Sequence, residues 1–151
     1  MNFQYIKMKK TVVSFFSICF LQCGMDYKVV SNITNTSGDT VMVTVLFNKP
    51  YFDSIFKQNK NLVLLSINNV NESSGLSYSF DSAQLSTTYI VPNNNNLRVD
   101  ETNGGYGVRP SHKSLYKIMI YKKDLTPIDS IKNLDAAFKK KSNTEWQYFV
   151  H

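Results

Sequence analysis

Short apolar runs alternate with clusters of Asn, Ser, Gly and Pro along most of the chain. Residues 27–34 (YKVVSNIT) and 40–47 (TVMVTVLF) are rich in β-branched side chains and flank a turn cluster at 35–39. The pattern predicts two strands paired as an antiparallel hairpin. Pro50 ends the second strand, and Phe52, Ile55 and Phe56 at helical spacing predict one or two turns of helix over 51–58. The continuous apolar run 62–67 (LVLLSI) has the form of a strand buried on both faces, followed by a polar loop over 68–75. Leu76, Tyr78 and Phe80 alternate with period two, and 87–91 reads as another strand, broken by Pro92 and the Asn run 93–96. A short edge strand over 97–100 and a Gly-containing loop over 102–113 precede the strand 115–121 (LYKIMIY). Thr126, Pro127 and Asp129 read as a helix start, and Ile128, Ile131, Leu134 and Phe138 as its apolar stripe, ending near Lys141. Residues 145–150 (EWQYFV) form a last alternating strand.

Strand therefore follows strand, without the strand–helix alternation of a parallel sheet. The expected fold is mainly β: an antiparallel sandwich, immunoglobulin- or transthyretin-like, of six to eight strands with one late amphipathic helix. The 151 residues fit one domain, placed at 27–151. A chain of this size buries roughly 68–70% of its unfolded surface, enough to fold by packing without disulfides.

The most apolar stretch lies outside that domain. Lys7, Lys9 and Lys10 precede the run TVVSFFSICFL at 11–21. A basic flank and an apolar run of eleven residues match a signal peptide, whereas a transmembrane helix needs about 20 residues. An A-x-A cleavage site is missing, and Cys23 stands where cleavage would fall. The arrangement resembles a bacterial lipoprotein signal, which implies removal of 1–22, acylation of Cys23 by palmitate-type chains and a short tether at 23–26. Phe20 and Gln22 depart from the Leu and the small residue usual at those positions. Ordinary secretory cleavage, or a Cys19–Cys23 disulfide, are the alternatives.

Charge narrows the partners. The net charge is +6, which would suit an anionic partner. Loss of Lys7, Lys9 and Lys10 leaves 14 basic against 11 acidic residues, a net +3. The remaining cluster, Lys139–Lys141, reads as a solvated helix end. Without a basic stripe interleaved with aromatics, no nucleic-acid partner is expected.

Candidate chemistry is sparse. His112 and His151 are the two histidines. A Ser-His-Asp triad built on His112 is spatial, so the sequence neither marks nor excludes it. No G-x-S-x-G is present, and Gly104-Gly105-Tyr106-Gly107 lacks the Lys-Ser/Thr of a phosphate loop. Asp100 and Glu101 would point to opposite faces of a strand. No catalytic residue, metal site or cofactor is assigned. Tyr106, Trp146 and Tyr148 read either as core or as a sugar- or peptide-binding platform. Four of the eight aspartates are followed by a hydroxyl and then an apolar residue, presenting Thr40, Ser54, Ser82 and Ser130. Turn and cap chemistry accounts for part of this. The triplet also resembles the O-glycosylation sequence of Bacteroidota envelope proteins, which would make those four hydroxyls acceptors.

Three further stretches, YKVVSNITNTSGDTVMV, TTYIVPNNNN and LYKIMIYKKD with its helix and Trp strand, resemble small envelope lipoproteins of the Bacteroidota. The resemblance implies a β-sandwich, an outer-membrane lipoprotein location in the cell envelope, and no catalytic residue. The leading expectation is a non-enzymatic binding or structural module, held to the membrane by its N-terminal lipid and facing a protein or glycan partner. A soluble periplasmic or secreted binding or inhibitor module is the second reading, and a small hydrolase using His112 the third.

Overall fold

The computed structural model describes residues 27–104 and 108–151. The expected signal segment, Cys19, Cys23, the 23–26 tether and Tyr106 lie outside the described residues. The elements run β1 (Tyr27–Asn35), β2 (Val41–Phe47), α1 (Lys49–Phe56), α2 (Lys60–Ser73), β3 (Tyr78–Asp81), β4 (Ser86–Val91), β5 (Asn96–Gly104), β6 (Leu115–Lys122), β7 (Pro127–Ile131), α3 (Leu134–Ala137), β8 (Lys139–Lys140) and β9 (Glu145–Val150). One sheet has the order β5-β1-β9-β8 and the other β3-β4-β2-β6-β7. The fold is the mainly β sandwich that the strand pattern predicts, built among the described residues from nine strands rather than six to eight and antiparallel except where β1 and β9 pair in parallel.

The period of two does most of the positioning. Along β2, Val41, Val43, Val45 and Phe47 are buried while the residues between them are half-exposed. Ile33 and Leu97 from the first sheet meet Val43, Tyr89, Ile118 and Ile120 from the second in one core. Each such apolar side chain contributes about 1.5–3 kcal/mol on burial. Phe52 of α1 and Val63 and Ile67 of α2 close the open side of that core.

Four expectations are corrected. β1 and β2 are not a hairpin: β1 pairs with β5 and β9, β2 with β4 and β6, and the turn between them crosses from one sheet to the other. The run 62–67 is helical. Asn59 caps α2 by accepting from the Asn61 and Leu62 N–H groups, and Val63, Ile67 and Asn71 recur every four residues as its buried side. The expected late helix is a single turn, α3. Ahead of it residues 127–131 form β7, opening at Pro127 on a sheet edge where a missing N–H costs no ladder bond. Ile131, Leu134 and Phe138 are buried as the stripe requires, but from a strand, a one-turn helix and the residue that ends it. Lys139 and Lys140 accordingly form the edge strand β8 rather than a helix end.

Candidate functional site

A cleft of about 630 Å³ opens between the two early helices and the edge of the first sheet. Phe52, Ile55 and Phe56, the helical spacing visible in the sequence, place Ile55 and Phe56 on its wall and Phe52 at its base. Phe52 and Phe56 stack at 6.1 Å and 13°, and Tyr51 meets Phe52 edge-on at 5.8 Å. Two caps hold α1 in this position. The Asn48 side chain accepts from the Tyr51 N–H and donates to the Lys113 carbonyl at 2.9 Å. Lys57 follows the helix in the left-handed region, at φ 49°. Ser66, Asn69, Val70 and Ser73 of α2 line a second wall.

Opposite the helices, six consecutive residues of β5, from Arg98 to Asn103, line the cleft. Lys28 and Arg98 both pair with Glu101, at 2.7 and 2.9 Å. The Lys28 hydrogen bond, reinforced by the two cations, holds the Glu101 carboxyl below its ordinary value. Asp100 is turned the other way, as alternation requires. It accepts from the His112 backbone N–H and the Ser114 hydroxyl, each at 3.3 Å. Burial pushes its carboxyl above the usual range, against the opposing pull of His112, Ser114 and Thr102.

Beside Asp100 lies a cluster, buried at Ser31 and His112 and open at Asp135, with the connectivity of a catalytic triad. The Ser31 hydroxyl is 2.8 Å from His112 Nε2, and His112 Nδ1 is 2.9 Å from an Asp135 carboxylate oxygen. His112 occupies a left-handed position, φ 45°, that turns its ring onto Phe138 at 5.1 Å. Access runs opposite to what nucleophilic catalysis needs. Ser31 is fully buried, whereas Asp135 keeps 61% of its side chain in solvent. Neither Ser31 nor His112 lines the cleft. A carbonyl could not reach the serine, so the three residues tie β1, the 108–114 loop and α3 together. Ser31, His112 and Asp135 are 81 and 23 residues apart in the chain. No spacing in the sequence signals that they meet.

The other sequence candidates scatter. Ser54, Ser82 and Ser130 are exposed and Thr40 is half-buried. Ser54 lies on α1 with its hydroxyl donating to the Tyr51 carbonyl, Ser82 in the turn after β3, and Ser130 on the edge strand β7. Trp146 and Tyr148 of β9 pack partly against the core and form no shared platform with the cleft. Arg109 stacks over Trp146 at 4.9 Å, and the Tyr148 hydroxyl donates to Asp129. Burial and the Asp129 charge push that phenol up to about 12. Among the described residues no cluster of three metal-ligating side chains occurs and no helix is long and apolar enough to cross a membrane.

No protein-family model, curated protein or solved structure matches the chain.

Proposed function

We propose that the chain is a lipid-anchored binding module of the cell envelope, holding its ligand in the cleft between α1, α2 and β5. The cleft carries the reading. Its volume lies in the range of about 300–1,000 Å³ typical of ligand sites, and it sets an aromatic wall against a few directed polar groups. The basic flank, the eleven-residue apolar run and Cys23 support the anchor, with the outer membrane as the expected location. Two acyl chains or more hold a protein stably, where one holds it only marginally. Full burial of Ser31, the hydroxyl beside His112, favours the binding module over the small hydrolase using His112.

The test places a photoreactive residue at position 70 in cells. A covalent adduct formed from position 70 and not from exposed Tyr116 supports the cleft, and equal labelling from both refutes it. In the same cells Cys23→Ala should move the protein from the membrane to the soluble fraction. Unchanged membrane association overturns the anchor.

A further inference from the structure

The cleft has an unusual relation to its strand. Side chains alternate between the two faces of a sheet, yet Arg98 through Asn103 all line one cavity. Glu101 belongs to the solvent face with Lys28, while Asp100 belongs to the inner face opposite Ser31. A cleft that touches both sets runs along the strand's backbone edge. β5 is the last strand of its sheet and pairs only with β1 among the described strands. Its outer row of N–H and C=O groups therefore borders the cleft.

The other three sheet ends are blunted. β8 has two residues, both lysine, β7 opens with Pro127, and β3 has four residues. β5 has nine. Its ladder is shifted once: Ser31 pairs with Asp100 and Asn32 with Arg98, leaving Val99 as a bulge. A bulge and an inward carboxylate hinder indiscriminate edge pairing, so a strand that adds here has to be selected by side chains. The means of selection lie alongside. Ile55 and Val70 expose apolar surface across the cleft. On the solvent side two cations, Lys28 and Arg98, share the single carboxylate of Glu101, leaving a positive surplus.

Resting on the cleft reading, we infer that β5 takes an extended peptide as an added strand. The peptide places one apolar side chain between α1 and α2 and an acidic side chain over Lys28 and Arg98. Six strand residues span about 20 Å, room for a peptide of similar length.

The experiment pans a displayed library of random heptapeptides against the full-length chain, then measures synthetic winners by fluorescence polarisation. Winners should share an apolar and an acidic position. N-methylation of alternate amides should weaken binding about tenfold or more, and of the amides between them little, because only one edge of an added strand pairs. Val70→Asp and Ile55→Asp, both at exposed positions, should abolish binding with melting temperature retained. Arg98→Glu should select basic peptides instead of acidic ones. Winners insensitive to methylation at every amide, or to both cleft substitutions, overturn strand addition, as does a library that yields none. A glycan array on the same protein separates the two readings. A glycan whose binding Val70→Asp removes, with no peptide found, leaves the cleft reading standing and strand addition refuted. Silence from both libraries refutes both.

Discussion

At Asp100 burial and hydrogen bonding pull in opposite directions, and burial wins. A carboxyl raised in the folded state favours folding below its unfolded value, near 3.9, and that contribution is lost as pH rises through the raised folded value. Ionised Asp100 thus costs stability at neutral pH. Asp100→Asn should be more stable than the native chain at pH 7, with the difference shrinking towards pH 3, read from urea midpoints across that range. A difference independent of pH would show that Asp100 titrates as freely folded as unfolded. Glu101 works in the opposite sense. Its lowered value gives stability above the unfolded value that disappears as pH falls through the folded one, so Glu101→Gln should lose more at pH 7 than at pH 3. His112 is a third test at this scale. His112→Ala strands the buried Ser31 hydroxyl, opens space against Phe138 and should cost about 2–4 kcal/mol by chemical denaturation. A fluorophosphonate probe should leave Ser31 unlabelled in the native chain. Stoichiometric labelling there would restore the hydrolase reading.

Helix α2 shows what a local pattern does and does not determine. Read over six residues, LVLLSI has no period. Over the full fourteen, Val63, Ile67 and Asn71 form a face, but Asn71 is polar and breaks the apolar stripe that would reveal it. Its burial makes sense only through a long-range partner, the Tyr89 hydroxyl of β4, which donates to Asn71 Oδ1 at 2.5 Å. Burial also raises the Tyr89 phenol above its usual range, so it stays a donor at any ordinary pH. Tyr89→Phe should cost about 1–2 kcal/mol by leaving the Asn71 side-chain oxygen without its buried donor. Tyr89→Phe with Asn71→Leu should recover most of that loss, and equal losses in single and double variants would count against the pair. Strand β2, residues 87–91 of β4 and residues 118–121 of β6 were legible because burial on one face imprints period two, whereas β9 buries Gln147 and Val150, three residues apart. The 127–141 segment misled because its buried residues happen to fall three and four apart while serving a strand end and one turn of helix. Of the cleft, the aromatic wall was legible as helical spacing. The strand edge facing it was not, since sheet order is a long-range property.

On the scale of the whole molecule the two sheets are held by their crossings, and two of these meet at Asn35. The turn 36–40 carries the chain from β1 into the second sheet, and the turn 92–95 brings it back from β4 to β5. Asn35 ends β1 fully buried. Its side-chain amide donates to the Asp39 carbonyl at 2.7 Å and to the Val91 carbonyl at 2.9 Å, and its side-chain oxygen accepts from Ser37. Its backbone N–H donates to the Asn95 carbonyl, and its own carbonyl accepts from the Asn94 N–H. One residue thus satisfies both turns and both sheets, which is why a hairpin reading of 27–47 placed the turn correctly and the pairing wrongly. Asn35→Ala keeps the backbone bonds but strips a partner from two carbonyls, one of them in a buried contact. At about 1–3 kcal/mol for a buried group left bare, a loss of about 3 kcal/mol is expected from equilibrium unfolding in urea. Ser37→Ala removes bonds in the same turn at a half-exposed site and should stay within about 0.5–1 kcal/mol of the native chain. If the two variants lose the same small amount, the sheets are held by core packing alone. If Asn35→Ala loses several-fold more, the corner is a fixed point of the sandwich.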